Sequence, residues 1–133
     1  MVKTRLRRAE PPPRGTARVL RGVVGAELGA ADLRAAAMTN HELYGFYGVS
    51  VWVADADHSV QGLEQSKLVK FDRYAEFTVS DLLGRGVQLW ATGQQPHYDV
   101  VHSEADDVEA LVDALLASSY RIQVNPHVDR EEH

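Results

Sequence analysis

The stretch Val87–His102, VQLWATGQQPHYDVVH, decides how this chain folds. Two runs suited to extended backbone, Val87 to Ala91 and His97 to His102, flank Thr92-Gly-Gln-Gln-Pro96, a five-residue connection that holds both glycine and proline. That spacing predicts an antiparallel hairpin. A hairpin interrupts the strand–helix–strand alternation of a doubly wound parallel sheet. The expected architecture is therefore α+β: a single domain with one mixed sheet of five to six short strands, two to four helices packed on it, and this hairpin toward the C-terminus.

Reading downstream, Ser103 precedes Glu104, Asp106 and Asp107, which puts a capping side chain and negative charge at the positive end of a helix. Val108, Leu111, Val112, Leu115 and Leu116 then recur at three- and four-residue spacing and form one apolar stripe facing a core. Tyr120 to Val124 reads as a last strand, ended by Asn125-Pro126, with a charged tail from His127 to His133. Reading upstream, Val49 to Val53 (VSVWV) is the strongest strand signal and is expected at the centre of the sheet. Thr16 to Val24 predicts the first strand and alanine-rich Ala30 to Met38 a helix. Thr39 and Glu42 stand at capping-box spacing and predict a second, short helix from Asn40 to Tyr44. Asp57 or Ser59 caps a helix through about Ser66, Lys67 to Phe71 and Glu76 to Val79 read as extended, and Ser80 to Leu83 as one capped helical turn. Residues 1–15, with Pro11, Pro12 and Pro13, read as a flexible basic leader, and 16–126 as the domain.

Composition narrows the chemistry. With 133 residues, 44% hydrophobic and 25% charged, the chain has the make-up of one globular domain. No cysteine is present, which removes disulfides, thiolate metal sites and a cysteine nucleophile. The longest apolar stretch, Val49 to Ala54, is interrupted by Ser50 and falls far short of the roughly 18 residues a bilayer span needs. No secretory signal is visible behind the first basic residues, so the cytoplasm is the expected address. Residues 1–21 carry Lys3, Arg5, Arg7, Arg8, Arg14, Arg18 and Arg21 against Glu10 alone, a balance of +6, while the rest of the chain carries −11. A basic arm on an acidic body leaves an RNA or a protein partner through the leader open and disfavours a duplex-DNA clamp.

The hairpin loop also holds the densest group of polar side chains. Gln94, Gln95 and Tyr98 are candidate ligand contacts. His97 and Asp99 fall on one face of a strand, with Tyr98 and His102 on the other. A histidine held by a carboxylate two residues away can serve as a general base, and Ser50 is the candidate hydroxyl from another strand. Ser50 lies in Gly48-Val-Ser-Val-Trp52, which lacks the second glycine of a nucleophile elbow, so a hydrolase of that type is disfavoured. No phosphate-loop or dinucleotide glycine fingerprint occurs. Asp55, Asp57 and His58, with His41 further upstream, read as strand-end and capping residues, and no metal is expected.

Arg21 precedes Gly22, where a ligand can approach the backbone closely, and its guanidinium suits a phosphate or carboxylate. Arg21 on an early strand and Ser50 on a later one resemble the arginine and serine with which ADP-ribosyltransferases hold NAD. That resemblance implies NAD contact by these two residues. It spans two short strands only, and no motif matching the family's catalytic glutamate is present. Two expectations follow. The chain is a small cytoplasmic enzyme or toxin-like effector acting on a nucleotide, with NAD among the candidates, or on nucleic acid. The alternative is a non-catalytic protein-protein interaction domain that binds through its leader or a strand edge.

Overall fold

A computed structural model describes residues 6–104 and 106–129. Six strands form one sheet, in chain order β1 (Arg18–Val23), β2 (Val49–Ala54), β3 (Arg73–Thr78), β4 (Val87–Ala91), β5 (His97–His102) and β6 (Arg121–Val124). Four helices accompany them: α1 (Ala30–Tyr44), α2 (Val60–Glu64), α3 (Val79–Gly84) and α4 (Val108–Ala117). The α+β class holds, and the sheet runs in the order β4-β5-β2-β1-β3-β6 with β2 near its centre. Every pairing is antiparallel, where a mixed sheet was expected. Each connecting helix returns the chain beside a strand of opposite direction, so no parallel neighbours arise.

Strand alternation gives the sheet two different faces. Val19, Val49, Val51, Val53, Phe77 and Val100 point to one face and are buried with Leu33 and Ala37 of α1 and Leu111, Val112 and Leu115 of α4. The helical stripe read from residues 108–116 is thus the core side of α4. On the opposite face a smaller cluster forms, in which Leu63 of α2 and Leu68 cover Leu20 and Tyr74, with Trp52 and Phe71 at its margin.

Local boundaries moved where tertiary contacts outweigh local signals. The helices expected at 30–38 and 40–44 are one helix, α1. Thr39 does not cap a new helix because Asn40, next to it, is buried and donates from Nδ2 to the Phe46 carbonyl at 3.1 Å, which ties the last turns of α1 to the following loop. The true stop is Gly45, at φ 84°, a left-handed position that favours glycine. Residues Lys67 to Lys70 form turns instead of a strand. The cap of α3 is Thr78 and that of α4 is Asp107, each accepting from the backbone N–H three residues on.

Residues 6–10 fall in the stretch expected to be a flexible leader, yet they lie along the end of the hairpin. Arg7 bridges Thr92 in antiparallel fashion, and the Arg8 N–H donates to the Ala91 carbonyl at 2.7 Å. Lys3 and Arg5, and Arg130 to His133 of the expected tail, lie outside the described residues. Among the described residues no helix is long and apolar enough to cross a membrane.

Candidate functional site

The ladder between β1 and β2 pairs only Arg18, Val19 and Leu20 with Ala54, Val53 and Trp52. Beyond Leu20, β1 stays with β3 as far as Val23 and β2 stays with β5 back to Val49, so the sheet splits between its two central strands. A split leaves backbone polar groups without ladder partners, and these must be satisfied in another way. Arg21 stands at this point. Its Nη1 donates to the Ser50 carbonyl at 2.8 Å and replaces the missing ladder bond.

Arg21 is half-buried, and desolvation holds its pKa below the usual arginine value, with the charge of Asp32 opposing that shift. Among the described residues no carboxylate stands within ion-pair distance of it. The guanidinium carries five donors, and the Ser50 bond occupies one nitrogen. Two concavities meet at the side chain. One, of about 390 Å³, lies between α1 and the exposed edge of β2 and is lined by Arg21, Thr39, Asn40, Tyr44 and Ser50. The other, of about 300 Å³, is lined by Arg21, Gly22, Gly29, Asp32, Trp52 and Phe71. Gly22 is required here: a Cβ at that position would lie 2.4 Å from the Phe71 ring, which rests directly on the glycine backbone.

Ser50 leads from Arg21 into a polar chain on the other side of β2. Ser50 and Asp99 are cross-strand partners, and Ser50 Oγ lies 3.5 Å from Asp99 Oδ1. The Thr92 hydroxyl donates to Asp99 Oδ2 at 2.7 Å. His97 Nδ1 lies 3.1 Å from both the Thr92 hydroxyl oxygen and the Thr92 carbonyl. The hydroxyl proton is committed to Asp99 and a carbonyl can only accept, so Nδ1 is a donor here, and in the neutral form of the ring Nε2 would be the basic nitrogen. His97 also packs edge-on against Trp52, with ring centroids 5.9 Å apart, and Trp52 lines the 300 Å³ cleft. Asp99 and Thr92 are fully buried.

The candidates of the hairpin therefore divide. Ser50, His97 and Asp99 are brought together on one sheet face, and Arg21 joins them through the Ser50 backbone. Tyr98 and Gln95 belong to a separate cluster, because the Tyr98 hydroxyl and Gln95 Nε2 both donate to the Glu10 carboxylate of the leader. Arg8 completes it, bonding Glu10 through Nε at 2.8 Å and lying over the Tyr98 ring. The hydrogen bond from Arg8 does most to lower the Glu10 pKa, with Tyr98 and Gln95 adding to it, and brings it down to about 2. Burial, followed by the bond to Glu10, pushes the Tyr98 phenol up to about 12. Gln94 is exposed at the loop tip, where its carbonyl accepts from the His97 N–H.

Other contributors, Trp52 and Arg8 among them, escaped the sequence reading. Asp32 and Phe71 line the cleft without any local pattern to announce them. Thr92 stood in the loop but was not singled out, and Glu10, the lone acid in a basic arm just before three prolines, was a visible signal for a docked leader. Among the described residues no group of three or more His, Asp or Glu side chains is arranged to hold a metal ion. Comparison with protein-family models, with curated proteins and with solved structures finds no match to this chain.

Proposed function

We propose that this domain binds a small anionic ligand of the nucleotide class at the split between β1 and β2, as the ligand-holding core of a small enzyme or toxin-like effector. The observation that carries this reading is the position of Arg21. A half-buried guanidinium that, among the described residues, hydrogen-bonds only a backbone carbonyl offers its remaining donors to whatever occupies the concavities beside it, and a planar fork of donors matches phosphate or carboxylate oxygens. Partial desolvation strengthens such a contact, since opposite charges attract more in a medium of lower dielectric. Convergence of a cation, hydroxyls and aromatic rings on one concave region is the usual form of a small-molecule site. NAD and the phosphates of RNA fall within the same ligand chemistry, and the cytoplasm is the compartment this reading assumes.

His97 is the candidate base on this reading, since in its neutral form Nε2 is the basic nitrogen and its ring backs onto Trp52. Buried Asp99 accepts from the Thr92 hydroxyl, which faces the imidazole. The test is a thermal-shift series with NAD, nucleoside mono-, di- and triphosphates and short RNA on the wild type and on Arg21→Gln, which removes the charge and the guanidinium fork. A ligand that binds the folded state raises its melting temperature. The reading expects a rise with at least one nucleotide that Arg21→Gln abolishes. No rise with any of them overturns it.

A non-catalytic interaction domain is the second reading, favoured by one observation. Pro11, Pro12 and Pro13 of the leader line a groove of about 480 Å³ together with Val53 and Ala54, with Glu10, Asp55 and Asp57 in the same lining. Removing residues 1–13 would abolish partner binding on this reading and spare nucleotide binding on the first.

A further inference from the structure

The 300 Å³ cleft on the Asp32 side of Arg21 has a second chemistry beyond the anion contact. Resting on the reading of Arg21 above, we propose that this cleft holds a flat nucleobase, and that Asp32 selects a base whose edge presents two adjacent N–H donors, as guanine does. Three features support it. Trp52 and Phe71 line the same small volume as Arg21, and aromatic side chains bind bases through their π-faces. The Phe71 ring lies against the Gly22 backbone, where any side chain would displace it, and forms one wall of the cleft. Asp32 is an exposed carboxylate in the first turn of α1 on the rim of that cleft, with two oxygens that only accept. A carboxylate rejects the acceptor edge of other bases and pairs with two parallel N–H groups, which guanine offers through its ring nitrogen and exocyclic amine and adenine does not.

The two concavities at Arg21 then have separate tasks. The side facing Thr39 and Ser50 has no carboxylate in its lining and takes the phosphate. The side facing Trp52 and Asp32 takes the base. Arg21, common to both, stands between them as the phosphate contact.

The experiment uses the full chain carrying Trp90→Phe, so that emission reports Trp52 alone, titrated with guanosine monophosphate, adenosine monophosphate and inorganic phosphate. Guanosine monophosphate should quench Trp52 and bind about tenfold tighter than the adenosine nucleotide, the discrimination expected of one good bidentate pair. In Asp32→Asn that preference should shrink to within about threefold while inorganic phosphate binds more tightly, because a negative charge near the anion has gone. A purely structural role for Asp32 would not move those two affinities in opposite directions. Equal binding of the two nucleotides, or binding without a Trp52 response, overturns the base site. If inorganic phosphate still stabilises the wild type and not Arg21→Gln, the anion reading survives that failure. If neither nucleotide nor phosphate binds at all, both fall together.

Discussion

Thr92 holds together groups that sequence distance and strand alternation would leave apart. Its one hydroxyl proton goes to buried Asp99, and its hydroxyl and carbonyl oxygens face His97 Nδ1. Thr92→Val keeps the shape and removes the donor, so a buried carboxylate loses a 2.7 Å bond. The expected loss of stability is about 1–3 kcal/mol, read by urea denaturation. A change below 0.5 kcal/mol would show that Asp99 does not depend on this hydroxyl. Glu10 is the other residue with a local test. Its pKa in the folded chain is depressed to about 2, so its contribution is present above the ordinary carboxylate value of 4.5 and is lost as pH falls from there toward 2. Tyr98 works in the opposite sense. Its raised pKa keeps a contribution that disappears as pH climbs from 10 toward 12. Leader docking, followed by amide exchange at Arg8, whose N–H is bound to the Ala91 carbonyl, should hold between those limits and weaken outside them. In Glu10→Gln the acid limb should vanish, and an unchanged acid limb would assign it to another group.

At the scale of elements, the hairpin was legible and the long helix was not. Val87–Ala91 and His97–His102 appear as read, because their strand-forming runs and a five-residue loop with glycine and proline agree with one another and with the tertiary structure. The apolar stripe of α4 was legible for the same reason. In α1 a local signal misled: the Thr39–Glu42 spacing suits a helix start, but burial of Asn40 and packing of Leu33 and Ala37 on the sheet carry the helix through it to Gly45. Gly45→Ala places a side chain at φ 84° and should lower stability by about 1 kcal/mol, measured by chemical denaturation, whereas a neutral result would mean that the stop is set elsewhere. For the leader, three prolines announce extended backbone but say nothing about what that backbone lies against. Its contacts with Thr92, Tyr98 and Gln95 span about 85 residues of sequence.

For the whole molecule, the sheet order explains both what was found and what was hidden. The α+β class and a central β2 follow from apolar patterning, which one sequence displays. The split between β1 and β2 follows from each strand keeping its outer partner, and such long-range pairing leaves no mark in either strand alone. Arg21 and Ser50 were singled out by residue type and strand position, and the register brings them within hydrogen-bond distance. The Trp52, Phe71 and Asp32 wall was illegible because its members come from a strand, a turn and a helix. Leu115, fully buried where α4 meets the sheet, tests the core itself: Leu115→Ala should reduce stability by about 2–5 kcal/mol, and a smaller loss would mean that α4 contributes little to it.

Anion binding at Arg21 is tested most directly by an amide and arginine side-chain NMR titration of the full chain with a nucleoside monophosphate. Saturable shifts are expected at Arg21 Nε–H, Gly22 and Ser50, with the docked leader at Arg8 and Glu10 unmoved. Shifts confined to the leader and the hairpin loop, or none at saturating nucleotide, would contradict it.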